Sequence, residues 1–353
     1  MIFDHNHLTK IGAGLAAVVA AAVGVAPAEP AVAATTAATG ETVCTVDDDR
    51  AVELSGLVAT DEGYVSIVDS RPNSADVLIV YLDRSCRVVR TQGYPTSPRD
   101  PEDLAVAPDG ALWVADIGDN ITAPSRRQTI ALWRIPPGGG TPLIHRLTYP
   151  DGPHDAEALL FAADGSPVVV TKELGTVSYV YQATRPLEPN TQTGVPMRLV
   201  GEFRPTATLP SGDLGRVGEL LVTGAATAPD RTRVALRTYT AAYEWDVPDG
   251  DVAKAITQGT PRITALPDEP QGEAIAYTVD GQAFLTISDA TGPTPIRRYA
   301  RTEPQPSATA DEPTSFGRVV AGSPPPPRWV GTVAGFAVVL TVLWLVAHRR
   351  RRG

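Results

Sequence analysis

One interval recurs along this chain and restricts its fold more than any other feature. Ser55-Gly-Leu is followed by Glu62-Gly63, Glu102-Asp-Leu by Asp109-Gly110, Glu157-Ala-Leu by Asp164-Gly165, Thr223-Gly-Ala by Asp230-Arg231, and Glu273-Ala-Ile by Asp280-Gly281. In each unit the acidic turn residue lies seven positions after the reference residue. The units return at roughly fifty-residue spacing, the length of one four-stranded propeller blade. Asp100 to Asn120 shows the pattern most clearly. Leu104, Val106, Leu112 and Val114 alternate with smaller residues, the period of a half-buried strand. Pro108-Asp109-Gly110 supplies a preset φ, a capping side chain and a residue tolerant of positive φ, so the chain turns there.

Four strands can be read in each of the first three units. The first has 56–59, 64–69, 76–82 and 87–92, the second 104–107, 112–117, 129–135 and 143–148, and the third 159–162, 168–172, 178–182 and 197–203. The fourth unit is longer, with 233–237 and 242–247 as its clearest strands. The fifth shows 275–278, 283–288 and 296–300, and nothing after Ala300 reads as its outer strand. The segment 42–45 can fill that place and remove an exposed sheet edge. Cys44 then sits in the last unit and Cys86 in the first, so a Cys44–Cys86 disulfide would pin the closure. The expected fold is an all-β propeller of about five four-stranded blades over 42–300. Six, with a degenerate blade between Glu173 and Thr223, is the alternative.

Composition agrees with a turn-rich β protein: 31 Gly, 33 Pro and 6% aromatic residues. A net charge of −10 argues against nucleic acid, because phosphate binding needs a basic surface. The two cysteines form no CxxC or Cys/His cluster, which argues against structural zinc. Residues 1–33 read as a secretory signal: Lys10, an apolar run from Ile11 to Ala26, and a small-x-small site at Ala31-Val-Ala33. Residues 34–41 form a loose segment, and 301–328 a Pro-rich linker ending in Pro324–Pro327. Residues 329–347 carry no charge and at helical rise span roughly 28 Å, one hydrocarbon core. The basic tail 348–353 keeps that end cytoplasmic by the positive-inside rule. The expectation is a single-pass cell-membrane protein, with the lipid bilayer as one partner and the propeller outside.

Glu102, Glu157 and Glu273 occupy one position in three units. Converging near the axis, they could hold a cation such as Ca²⁺, which takes oxygen ligands. Repetition favours the structural alternative, carboxylates that accept backbone N–H bonds at strand entrances, because architecture repeats while active sites usually do not. Residues that break the repeat are the rim candidates: Asp103, Asp116, Asp119 and Asn120 in the second unit, Lys172 and Glu173 in the third, Arg237 and Tyr239 in the fourth, Ser288 and Asp289 in the fifth, and Asp69 and Ser70 in the first. All but Asp103 close a second strand, so they should share one rim, where such groups bind a polar ligand or do acid–base work. His154 stands in a loop just before Glu157. No GxSxG elbow, P-loop or HExxH is present.

The runs ELSGLVATDEGYVSIVDS, DPEDLAVAPDGALWVADIGDN, DAEALLFAADGSPVVVTKE and QGEAIAYTVDGQAFLTISD resemble exported bacterial β-propellers of the phytase-like esterase group, neighbours of the gluconolactonase and NHL-type propellers. The resemblance covers Glu53 to Tyr299 and implies the propeller fold. It would make Glu102, Asp119 and Asn120 candidate metal or ligand contacts. The fourth unit departs from the pattern, with Thr223 where its neighbours have Glu. Two functions follow: a ligand- or protein-binding module displayed outside the membrane, its partner an extracytoplasmic protein or small molecule, or a Ca²⁺-dependent hydrolase of phosphoesters, esters or lactones.

Overall fold

The repeated acidic residue is a turn device. Asp109, Asp164, Asp230 and Asp280 each accept, through Oδ1, the backbone N–H of the residue two places on, at 2.8–3.0 Å. The residue between takes positive φ: Gly110 at 79°, Gly165 at 83°, Arg231 at 57° and Gly281 at 68°. A short acidic side chain followed by glycine reverses the chain with little strain. Arg231 is the exception to the glycine, and its guanidinium donates to Ala107 O (2.6 Å) at the corresponding turn of the second unit.

These turns belong to a computed structural model that describes residues 39–303, apart from 122, 124, 207–214 and 268. The signal (1–33) and membrane helix (329–347) expected from the sequence lie outside the described residues, as does nearly all of the linker. Among the described residues no helix is long and apolar enough to cross a membrane.

Twenty strands are described. After β1 (Glu41–Val46) come β2 (Leu54–Ala59), β3 (Gly63–Val68), β4 (Ile79–Asp83) and β5 (Val88–Gln92). The second group is β6 (Pro101–Val106), β7 (Leu112–Asp116), β8 (Ile130–Ile135) and β9 (Leu143–Thr148). The third is β10 (Ala156–Phe161), β11 (Pro167–Thr171), β12 (Ser178–Ala183) and β13 (Val195–Phe203). The fourth is β14 (Val222–Thr227), β15 (Arg233–Thr238), β16 (Ala241–Asp246) and β17 (Arg262–Ala265), and the last β18 (Gly272–Tyr277), β19 (Ala283–Ser288) and β20 (Thr294–Ala300). Within each group consecutive strands pair antiparallel. Residues 173–223 hold β12 and β13, and no sixth sheet lies there among the described residues. The extra length of the fourth group is the helix Val252–Gln258, capped by Asp251, whose carboxylate accepts Lys254 N–H at 3.0 Å.

Two further pairings organise the groups. β1 lies antiparallel on β20, so the N-terminal strand completes the last sheet, and Cys44 in β1 is disulfide-bonded to Cys86. β9 and β13 pair in parallel at their outer edges and fuse the second and third groups into one eight-stranded sheet. The first strands touch in a closed cycle: β2 on β6, β6 on β10, β10 on β14, β14 on β18, and β18 on β2. Apolar packing follows the same circle. Ile67 and Ile79 meet Val114 and Trp133, Trp113 and Leu132 meet Phe161 and Tyr181, Val170 and Val180 meet Leu236 and Trp245, Ala235 and Ala242 meet Ile275 and Phe284, and Leu285 and Ile287 meet Leu57 and Val80. Small sheets packed face to face around an axis define a β-propeller.

A Cys44→Ser/Cys86→Ser double variant should unfold about 2–4 kcal/mol more easily than the parent. Denaturant melts without reductant measure this, and coincident curves would show that the disulfide adds nothing to closure.

Candidate functional site

The repeated reference residue marks a backbone irregularity. Between first and second strands the ladder slips at the same place in all five groups: between Ser55 and Leu57, Pro101 and Asp103, Ala156 and Ala158, Val222 and Gly224, and Gly272 and Ala274. The skipped residues are Gly56, Glu102, Glu157, Thr223 and Glu273. A bulge frees one residue from the ladder and re-aims its side chain. The three glutamates are thereby turned toward one another at the mouth of the ring, at the end where the second strands finish.

Three carboxylates converge at this mouth. Asp69, Asp100 and Glu102 each present an oxygen, all within 4.8 Å of one another. The backbone of Gly118 lies against them: a Cβ there would sit 2.2 Å from Glu102 Oε1 and 2.6 Å from Asp100 Oδ2. Burial and the neighbouring Asp100 push Asp69 up to about 7. Burial, joined by Glu157, Asp69 and Asp100, pushes the Glu102 carboxyl well above its usual range. Asp100 and Asp155 are raised by burial as well. The negative charge here exceeds what nearby cations neutralise, so the cluster attracts protons or a cation.

Lys172 supplies an ammonium beside it. Its Nζ donates to Glu157 Oε1 at 2.8 Å and lies 5.3 Å from the Tyr239 ring centroid. Burial alone would lower its pKa, but Glu157, Tyr239, Glu273 and Glu102 hold it well above the ordinary value, so it stays charged. Tyr239 Oη donates to Glu273 Oε1 at 3.2 Å. The second oxygens of Glu157 and Glu273 are buried without a hydrogen-bond partner. Of the three repeated glutamates, only Glu102 therefore belongs to the convergent oxygen set, and burial raises Glu157 well above its usual range although Lys172 pairs with it.

Asp103 lies deeper than a rim residue. It is fully buried and accepts N–H bonds from Leu104 (2.8 Å), Leu159 (2.8 Å) and Ala225 (3.2 Å). One carboxylate thus ties β6 to β10 and β14. Burial pushes its pKa well up, against the pull of those three N–H groups.

The other expected rim residues do close the second strands, in separate clusters. Asp116 accepts from Arg127 Nη2 (2.9 Å) and the Asp100 N–H (3.0 Å), and Asp119 from Arg99 Nη2 (2.9 Å) and Arg126 Nε (2.7 Å). Asn120 is exposed, its carbonyl accepting the Ala123 N–H at 2.8 Å. Arg237 is fully buried on Glu269 (2.8 Å) and Ala274 O (2.7 Å), an internal tie between β15 and β18. Asp289 accepts from Gln271 Nε2, and Ser288 is buried at the end of β19. Ser70 N–H donates to Asp69, and the Ser70 side chain bonds to Asp100. Glu173 Oε1 is 2.9 Å from His154 Nδ1, while His154 Nε2 is 3.2 Å from Asp151 and 2.9 Å from Tyr181 Oη. The bond to Glu173, reinforced by Asp151, raises the His154 pKa despite burial.

Sequence reasoning missed Asp100, Asp155, Asp151 and the arginines 99, 126 and 127. Asp100 and Asp155 both sit two residues before a bulge glutamate, an offset visible in two units. Nothing local marks the arginines, which enter from loops.

No protein-family model matches the chain, and no curated protein matches it. Solved structures do resemble it. Glutaminyl cyclase of Myxococcus xanthus is 13% identical with a TM-score of 0.45, over 74% of this chain and 97% of that one. The β-propeller domain of Cps50 (Swd1) from Myceliophteria thermophila is 12% identical with a TM-score of 0.38, over 73% and 99%. A gluconolactonase of Xanthomonas campestris is 16% identical with a TM-score of 0.38, over 69% and 72%.

The raised carboxyls fix the sign of a pH effect. A carboxyl whose folded pKa lies above its unfolded value, ~4, binds protons more tightly when folded, so stability falls as pH climbs through that interval. For Asp69 the interval ends at about 7. Thermal melts should drop between about pH 4 and pH 7, and Asp69→Asn should melt higher at the upper end by ~1 kcal/mol, roughly 2–4 °C. Glu102, Asp100 and Glu157 retain the rest of the slope. An identical pH profile in the variant would remove Asp69 from the strained set.

Proposed function

We propose that the chain is a membrane-anchored, extracytoplasmic propeller of five blades that binds its ligand at the acidic mouth. The observation that carries this reading is the convergence of Asp69, Asp100 and Glu102 beside the charged Lys172. A cation relieves the repulsion among the three carboxylates. Hard oxygen donors at that spacing fit Ca²⁺, and backbone carbonyls or water can complete its shell. Lys172 meanwhile offers a fixed positive charge to the anionic part of a ligand. The placement outside the membrane rests on the signal-like 1–33, the apolar 329–347 and the arginines 349–352.

The same oxygen set supports a second reading, a Ca²⁺-dependent hydrolase of phosphoesters, esters or lactones. A bound cation there would supply Lewis-acid polarisation of a phosphoryl or carbonyl oxygen. Lys172 would orient an anionic substrate, and the neighbouring His154–Glu173 pair would hold or release a proton at Nδ1. Binding alone is favoured: the Ser70 hydroxyl bonds Asp100, but that carboxylate is one of the cation's own three ligands and is not left to act as its base.

Melting the full-length chain in Ca²⁺ and in chelator tests both readings. Ca²⁺ at about a hundred times its Kd should stabilise by about 2.7 kcal/mol, and Glu102→Gln or Asp69→Asn should abolish the shift. An unchanged melting temperature in millimolar Ca²⁺ would sink the cation site. Protease added outside intact cells should remove the propeller and spare a tag at the C-terminus; a protected propeller would reverse the proposed topology.

A further inference from the structure

The joint between the second and third sheets departs from the repeat, and a pocket lies beneath it. Among the described sheets this is the one place where two groups are fused edge to edge, β13 against β9. The chain leading into β13 is strapped along β9: Asn190 N–H donates to Ile144 O (2.8 Å), Arg146 Nη1 to Thr191 O (3.1 Å), and Thr148 Oγ1 to Thr193 O (2.7 Å). Between β12 and the strap, the chain from Gln182 to Leu187 borders a half-open cavity of about 580 Å³ at the turn end of the ring, opposite the acidic mouth. That volume suits a small ligand.

In a chain of net charge −10, this cavity gathers three guanidinium groups: Arg134, Arg185 and Arg198. Their ties differ. Arg134 is held by Asp109 at 2.7 Å. Arg185 pairs with Glu188 at the exposed surface, where such a pair is worth little and is readily exchanged. Arg198 donates only to the neutral Gln182 Oε1 (2.6 Å), and no carboxylate pairs with it among the described residues. It lines the cavity, whose one carboxylate, Asp164, bonds Ser166 instead.

The remaining lining suits hydroxyl groups. His145 is buried, and burial lowers its pKa, so the ring is neutral. Its Nδ1 lies 3.1 Å from Leu143 O, and a carbonyl only accepts, which places the proton on Nδ1 and leaves Nε2 an acceptor. No hydrogen bond to that Nε2 forms among the described residues. Asp164 and Gln182 add further hydroxyl partners, and Ala183, Pro186 and Leu187 give an apolar wall for the C–H face of a ring. We propose that this cleft binds an anionic monosaccharide, phosphorylated or carboxylated, with Arg198 and Arg185 on the anion and His145 and Gln182 on the hydroxyls.

Calorimetric titration of the full-length chain, in chelator so that the acidic mouth plays no part, tests the assignment. The probes are glucose 6-phosphate, glucuronate, glucose and inorganic phosphate. At least one anionic sugar should bind with saturation and at least about tenfold more tightly than glucose or inorganic phosphate, since a charge-assisted bond is worth about that factor. Which one binds identifies the anion. Arg198→Gln, an exposed change, should weaken binding about tenfold without moving the melting temperature, and Arg198→Glu should abolish it. Three results would overturn the proposal: no saturable binding of either anionic sugar below about 10 mM, equal binding of glucose or phosphate, or unaltered affinity in both Arg198 variants.

Discussion

The pairing of β1 with β20 gives the last sheet its fourth strand and fastens the N-terminal strand of the ring to its final one. Without it β20 would present an unpaired edge, and the last group would lose the strand whose Cys44 is bonded to Cys86 of the first group. With it, each apolar cluster has a sheet on both sides, so burial is completed around the axis rather than within any one sheet. Closure also crowds the first strands together. Backbone approaches so closely that Gly56, at φ 60°, would place a Cβ 2.7 Å from Leu104 N. Polar groups on these strands must then find partners across the axis, and Asp103, Thr223 and Arg237 meet that need with bonds to neighbouring groups.

The same crowding makes the mouth electrostatically tense. Five bulges stand in register, four of them carry a side chain, and three of those side chains are glutamates. Lys172 offsets part of the charge, yet burial leaves both Glu157 and Glu102 raised, and the two differ in their neighbours. The lysine stands beside one of them, and two aspartates beside the other.

Much of the fold could be read from the residues, because the repeat records two backbone events. In four units the aspartate of the turn and the residue at the bulge are fixed by local geometry, so their spacing survives in the sequence; in the first unit the bulge falls on Gly56 and the turn has Glu62. The closing strand and the Cys44–Cys86 bridge followed from counting strands in the last unit, and the structure has both. The first strands begin two to three residues earlier than the hydrophobic pattern suggests, since bulge residues and their polar neighbours hide the alternation. The site was less legible. Asp103 and Arg237 look like rim residues in the sequence but lie inside, because an axial polar group and an exposed one have the same letter. Asp100 joins Glu102 only through the folding of its own loop, and Arg127 reaches Asp116 from a connection with no periodicity.

The way the ring is shut has a mechanical side. β1 and β20 lie antiparallel with Glu41 opposite Arg298, so the chain enters and leaves the domain from one sheet, close together. A pull on the segment beyond Ala300 is felt first by β20, which is flanked by β19 and β1, and is passed through Cys44 to the first sheet. Force is then shared between the two sheets at the seam as shear along several hydrogen bonds at once, instead of peeling one strand away.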